Sequence, residues 1–162
     1  MNFRLNLFRN FEELDLKIRD LSNKVARLEI HIEKKLAVQK TNLIRIKNKE
    51  EITESFIFSG LVYNDLSPTL AYKIYQDRSK NFILVDVSKI DFIPPLELQG
   101  ALRIPLEELE KKYQLIQSKT VPILFISENG IRSILACEIM AYNGYYNTNN
   151  ISGGYSSWPK SS

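Results

Sequence analysis

"ILFISENGIRS", residues 123–133, runs four apolar residues into a polar loop with one glycine and one arginine, and then into the first turn of a helix. Four consecutive apolar residues closed by a turn signal fit a fully buried strand. In sheets built from strand, loop and helix units, ligands sit at the carboxyl ends of the strands. The loop Ser127–Ser133 is therefore the first place to look for chemistry.

Working outward, the same texture recurs on both sides. "SPTLAYKIYQD" opens with Ser67 as a helix cap and Pro68 at the first helical position, followed by apolar residues at helical spacing. "FILVDV" reads as a buried strand with its polar end at Asp86. "GALRIPLEELEKKY" predicts a short strand stopped by Pro105 and then a helix, "VPILFI" a second buried strand, and "RSILACEIMAYNGY" the helix that leaves the loop. A final turn, "ISGGYSSW", carries Gly153 and Gly154. Strands alternating with helices predict an α/β domain whose parallel sheet is covered by helices, over residues 55–160.

These pieces, in this order, resemble a rhodanese-like domain, the sulfurtransferase module. The resemblance rests on "LVDV" at 84–87, "GALRIPLEEL" at 100–109, the loop, the helix ending "NGYYN" and "ISGGYSSW" at 151–158. It implies that the loop reads Cys, two variable residues, Gly, one variable residue, Arg, Ser, with a persulfide carried on the cysteine. Gly130, Arg132 and Ser133 match, while Glu128, Asn129 and Ile131 fill the variable positions and Ser127 stands where the cysteine would. A thiol is readily shifted to thiolate at a helix N-terminus, whereas a serine hydroxyl is far too weak an acid and forms no persulfide. The resemblance thus implies a degenerate loop with no catalytic residue.

Further departures point the same way. Ser88 replaces the arginine that usually follows the strand aspartate, and Leu96 and Glu97 replace a Gly-His pair before the "GA" strand. Glu128 is expected to set a carboxylate among loop amides that would otherwise attract an anion. Arg132 is expected to hydrogen-bond loop carbonyls or Asp86, with Gly153 and Gly154 allowing close backbone approach, so that all four support the loop without a substrate.

Other chemistries fail on inventory. Cys137, the single cysteine, lies more than a turn into the loop helix among apolar neighbours, where a thiol behaves as a small hydrophobe. Phosphatases of similar fold space Cys and Arg by five residues, but only four separate Ser127 from Arg132. The one histidine, His31, lies outside the domain, which removes a serine-hydrolase base and, with a single cysteine, any transition-metal site. No cofactor or metal is expected. The lone cysteine fits a reducing compartment, cytoplasmic or organellar, the plastid stroma included; heavy use of Ile, Lys and Asn suits an AT-rich genome, of an organelle or of a low-GC bacterium. No apolar run reaches the roughly 18 residues of a membrane span, so a soluble protein is expected.

Residues 1–50 differ in kind, with twelve Lys/Arg against seven Asp/Glu. Phe11, Leu14, Ile18, Leu21, Val25, Leu28 and Ile32 alternate in steps of three and four, a heptad seam with Phe, Ile, Val and Ile at a and Leu at every d. This composition favours a parallel two-stranded arrangement, with Lys24 at g facing Glu29 at e. After Ile32 the register breaks at Lys35 and Gln39, and the apolar stripe is expected to shift to Leu36, Leu43 and Ile46. The pattern predicts a long helix, or a helical hairpin, that either pairs with a protein partner or a copy of itself or folds back on its own domain. The six Lys/Arg between Lys34 and Lys49 lack interleaved aromatics, which argues against nucleic acid. "MNFRLNLFRNF" is a candidate for contact with a membrane surface.

The expectation is a catalytically inactive rhodanese-like protein acting as a binding or scaffolding subunit through its loop surface and helical arm. The alternatives are a regulator that binds anions or sulfur species, and a sulfurtransferase that uses Cys137 or another protein's cysteine.

Overall fold

The computed structural model describes residues 2–159, with side chains from Asn10 onward. The candidate membrane-surface stretch, residues 1–11, therefore lies largely outside the described side chains. No described helix is long and apolar enough to cross a membrane.

The first element, α1 (Asn2–Lys47), is one continuous helix rather than a hairpin. The chain divides into two compact units, residues 1–36 and residues 37–162. The sequence suggested a join near residues 50–55; the last turns of α1 instead belong to the second unit. They bury Ala37, Thr41 and Arg45, while Leu36, Leu43 and Ile46 remain at least half exposed. The expected stripe is thus on the wrong face. Polar side chains displace it because Arg45, not an apolar residue, reaches into the sheet: its guanidinium donates to the Thr148 carbonyl at 2.7 Å and to Asn149 Oδ1 at 3.2 Å.

The second unit continues with α2 (Glu54–Ser59), β1 (Tyr63–Leu66), α3 (Pro68–Gln76), β2 (Ile83–Asp86), β3 (Leu102–Arg103), α4 (Leu106–Lys112), β4 (Ile123–Ile126), α5 (Ile131–Tyr142), β5 (Thr148–Ile151) and α6 (Gly154–Ser157). The five strands form one parallel sheet in the order β1-β5-β4-β2-β3. Side chains alternate across it. Val85, Ile123 and Phe125 pack with Leu109 of α4 and Ala136, Cys137 and Met140 of α5. Leu84, Leu124 and Ile126 pack on the other face with Ala71 of α3 and with Tyr155 and Trp158. Helices on both faces explain the uninterrupted apolar runs in β2 and β4. The predicted cap of α3 is present: Ser67 Oγ accepts from the Leu70 N–H at 3.3 Å, with Pro68 in the first turn.

Because β2 and β4 are parallel, neighbouring strands, Asp86 and Ile126 are register partners. Both strands therefore end at the same edge of the sheet. The loop that follows β4 lies beside the segment that follows β2.

Candidate functional site

Ser127 follows β4 and is fully buried, as is Ser133 in the first turn of α5. The Ser127 hydroxyl oxygen accepts from the N–H of Gly130 at 3.1 Å and of Ser133 at 3.3 Å. The Ser133 hydroxyl donates to the Gly130 carbonyl at 3.0 Å. That leaves the Ser127 proton for Ser133 Oγ, 3.1 Å away. One hydroxyl oxygen therefore holds two loop amides that could otherwise receive an anion, and its own proton is engaged. Asn129 closes the turn by accepting from the Ile131 N–H at 3.2 Å, and Gly130 supplies the left-handed conformation, φ 90°, that starts α5.

The loop is locked from below by α6. The N–H of Tyr155 donates to the Ser127 carbonyl at 2.9 Å, and Ser156 gives its N–H (3.0 Å) and hydroxyl (2.8 Å) to the Glu128 carbonyl. Gly154 makes this approach feasible, since a Cβ there would sit 1.9 Å from the Ser127 carbonyl oxygen. Gly153 opens α6 in the left-handed region at φ 71°. A Cβ on Gly153 would meet the Ser157 hydroxyl, so it is Gly154 whose missing side chain lets α6 approach the loop.

Arg132 does not reach Asp86. Its Nε donates to the Val87 carbonyl at 3.1 Å, and its Nη2 pairs with Glu107 of α4. The Arg132 hydrogen bond holds the Glu107 carboxyl below the ordinary carboxylate range. Asp86 is buried and serves other groups: it accepts from the Ser88 N–H at 2.9 Å and from the Tyr155 hydroxyl at 3.1 Å. Burial, reinforced by Asp86, pushes the Tyr155 hydroxyl well above its ordinary pKa.

Glu128 also departs from expectation. Its carboxylate does not sit on the Gly130 and Ser133 amides, which Ser127 occupies, but accepts from the Lys89 N–H at 2.8 Å and lies 3.8 Å from Arg132 Nε. Arg132 thus faces two carboxylates. The cleft above the loop, about 630 Å³, is lined by Lys89 and Arg132 against Asp91 and Glu128, with Phe92 and Ile93 as its apolar wall. Arg103 fixes that wall by donating to the Phe92 carbonyl at 2.6 Å and the Lys89 carbonyl at 3.0 Å. Two of the isoleucines that line it, Ile93 and Ile131, are 87% and 62% exposed. Neither the wall nor Glu107 was recognised from sequence, because both come from segments distant from the loop.

Cys137 is completely buried, and burial pushes its thiol far above the ordinary range. It contributes to the core, as its neighbours suggested. Among the described residues no three His, Cys, Asp or Glu side chains gather in a metal-binding group.

Residues 67–161 match a family model described as "Rhodanese-like domain". A curated relative, "Adenylyltransferase and sulfurtransferase MOCS3" of Oryza sativa subsp. japonica, is 26% identical over 101 residues, which is 55% of this chain and 23% of the relative. The chain thus spans under a quarter of that protein. Among solved structures, a rhodanese-like domain protein from Staphylococcus aureus aligns over 60% of this chain and 92% of its own at 20% identity, TM-score 0.53. A rhodanese-related protein from Thermoplasma volcanium aligns over 59% and 90% at 23% identity, TM-score 0.51. At these identities the structural likeness speaks to the fold.

Proposed function

The chain belongs to the rhodanese-like domain family, and from that premise we propose that it is a catalytically inactive member, a binding subunit whose loop has become a recognition surface and whose helical arm makes a second attachment. The observation that carries this reading is the Ser127 hydroxyl, which accepts the Gly130 and Ser133 amides itself at the position where the resemblance would set the family's cysteine. A buried hydroxyl that gives its proton to Ser133 and accepts two N–H groups has no base to activate it. The sulfurtransferase activity in the name of the Oryza relative needs a sulfur nucleophile, and Cys137 is sealed in the core as a neutral thiol.

The cleft supports recognition over anion binding. Glu107 and Glu128 flank Arg132, so its charge is compensated by two carboxylates. An apolar rim of isoleucines around a charge-balanced cleft suits a protein surface better than a small oxyanion.

Thiosulfate-to-cyanide sulfur transfer tests the proposal. The purified chain should show no turnover, and turnover abolished by Cys137→Ala would overturn the reading. Ser127→Cys should restore at most weak persulfide formation, because Arg132 stays neutralised. Full activity from that one change would show that the cleft had remained a substrate site.

A further inference from the structure

We infer that residues 11–32 of α1 form a parallel two-stranded coiled coil with a second copy of this chain. The inference deepens the binding-subunit reading by naming what the arm attaches to. Phe11, Leu14, Ile18, Leu21, Val25, Leu28 and Ile32 lie along one uninterrupted helix, and each is more than half exposed. Seven large apolar side chains in register on one helix are a surface that needs a cover.

The flanks of the seam choose the occupant and its direction. With Phe11 at a, the g positions are Lys17, Lys24 and His31, and the e positions Asp15, Ser22 and Glu29. In a parallel pair g faces e of the other copy, setting Lys24 against Glu29 twice. In an antiparallel pair g faces g and e faces e, which sets lysine against lysine and acid against acid. A second copy in parallel is therefore complementary, and the reversed pair is self-repelling. β-branched residues at the inner a positions with leucine at d match the two-stranded parallel geometry as well.

The seam also ends where the fold requires. Lys35 and Gln39 interrupt d and a, and from Ala37 onward the helix buries a different face, Ala37, Thr41 and Arg45, in its own domain. The helix thus changes covered face within about one turn. Acids interspersed along 11–32, with ion pairs within the single helix between Lys17 and Glu13 at 2.8 Å and between Lys24 and Asp20 at 2.7 Å, disfavour anionic lipid as the cover. Leu16 and Ile30, at f, lie outside a two-stranded seam.

Sedimentation equilibrium of the full chain should give twice the chain mass. Leu14→Cys and Leu28→Cys variants should each cross-link to themselves under mild oxidation, Cys137 being buried. A mixture of the two should give no 14-to-28 product, because those positions lie about 21 Å apart along a parallel pair. Lys24→Glu should weaken the dimer about tenfold, and Lys24→Glu/Glu29→Lys should restore it. A predominant 14-to-28 product, a trimer or tetramer, a charge swap that fails to restore, or a monomer would each overturn the inference, the last whether or not it sediments with phosphatidylserine vesicles. None of these results touches the reading of the loop, which rests on the sulfur-transfer assay.

Discussion

The hydroxyl oxygens of Ser127 and Ser133 lie 3.1 Å apart in the buried interior of the loop, at the head of a short relay that ends on the Gly130 carbonyl. A loop built this way carries its own acceptor in its centre. It needs no ligand to satisfy the Gly130 and Ser133 amides, which separates their contribution to stability from any chemistry.

Removing that acceptor should therefore be costly. Ser127→Ala strands the buried N–H groups of Gly130 and Ser133, and an unsatisfied buried donor costs about 1–3 kcal/mol. Urea denaturation should show the unfolding free energy falling by that amount, through a lower midpoint at an unchanged slope. A loss under about 0.5 kcal/mol would mean that water or a loop shift replaces the hydroxyl.

Freeing Arg132 should create an anion site in the cleft. In Glu107→Gln/Glu128→Gln both flanking carboxylates are gone while Nε keeps its hold on Val87. Sulfate or thiosulfate should then raise the melting temperature of the double variant and leave that of the native chain unchanged. Equal shifts in both proteins would contradict the account of a neutralised cleft.

The Arg132–Glu107 pair also predicts a pH signature. Arg132 depresses the folded-state pKa of Glu107, so the pair's stabilisation is present above the unfolded carboxylate pKa and is lost as pH falls through the depressed folded value. Glu107→Gln should melt below the native chain at neutral pH, with the two curves converging in acid. Glu107 is largely exposed, so the gap should be small. A gap that persists unchanged below the carboxylate range would assign the effect to packing.

The residues that were legible in the sequence are those whose local chemistry decides their structure. Ser67 and Pro68 announced α3, Gly130 and Ser133 the loop, and apolar runs the strands β2 and β4. The strand β5 was not legible, because "TNNI" carries three polar residues and no alternation, yet all four are buried. Its polar side chains draw partners from distant groups: Asn149 donates to the Ile123 carbonyl at 3.2 Å and Asn150 to Asp65 at 2.6 Å. The partners of Arg132 and Asp86 were hidden for the same reason. Spacing named both residues, but Glu107 and Tyr155 reach them only once α4 and α6 have packed. The sequence also could not show that Arg45, in a basic stretch that reads as a solvated face, would end up 3% exposed.

That arginine supports the last prediction. Arg45 joins the end of α1 to β5 through the Thr148 carbonyl and Asn149, pairs with Glu50 at 2.9 Å, and lies over the Phe56 ring at 5.2 Å. Burial pulls its pKa below the ordinary arginine value, while Glu50 opposes that shift. Replacing it with a hydrophobe of similar length leaves the Thr148 carbonyl, the Asn149 amide oxygen and the Glu50 carboxylate short of a donor. Breaking a buried ion pair from one side costs about 3–5 kcal/mol, so Arg45→Met should lose most of that in urea denaturation. Arg45→Lys should recover little, because an ammonium cannot span Glu50 and the β5 carbonyl with a planar fork. In Arg45→Met/Glu50→Gln the stranded charge disappears, and the double variant should be more stable than the sum of the single losses. Additive losses would place Glu50 outside the network, and a near-native Arg45→Met would mean that the sheet ladder alone holds β5 in place.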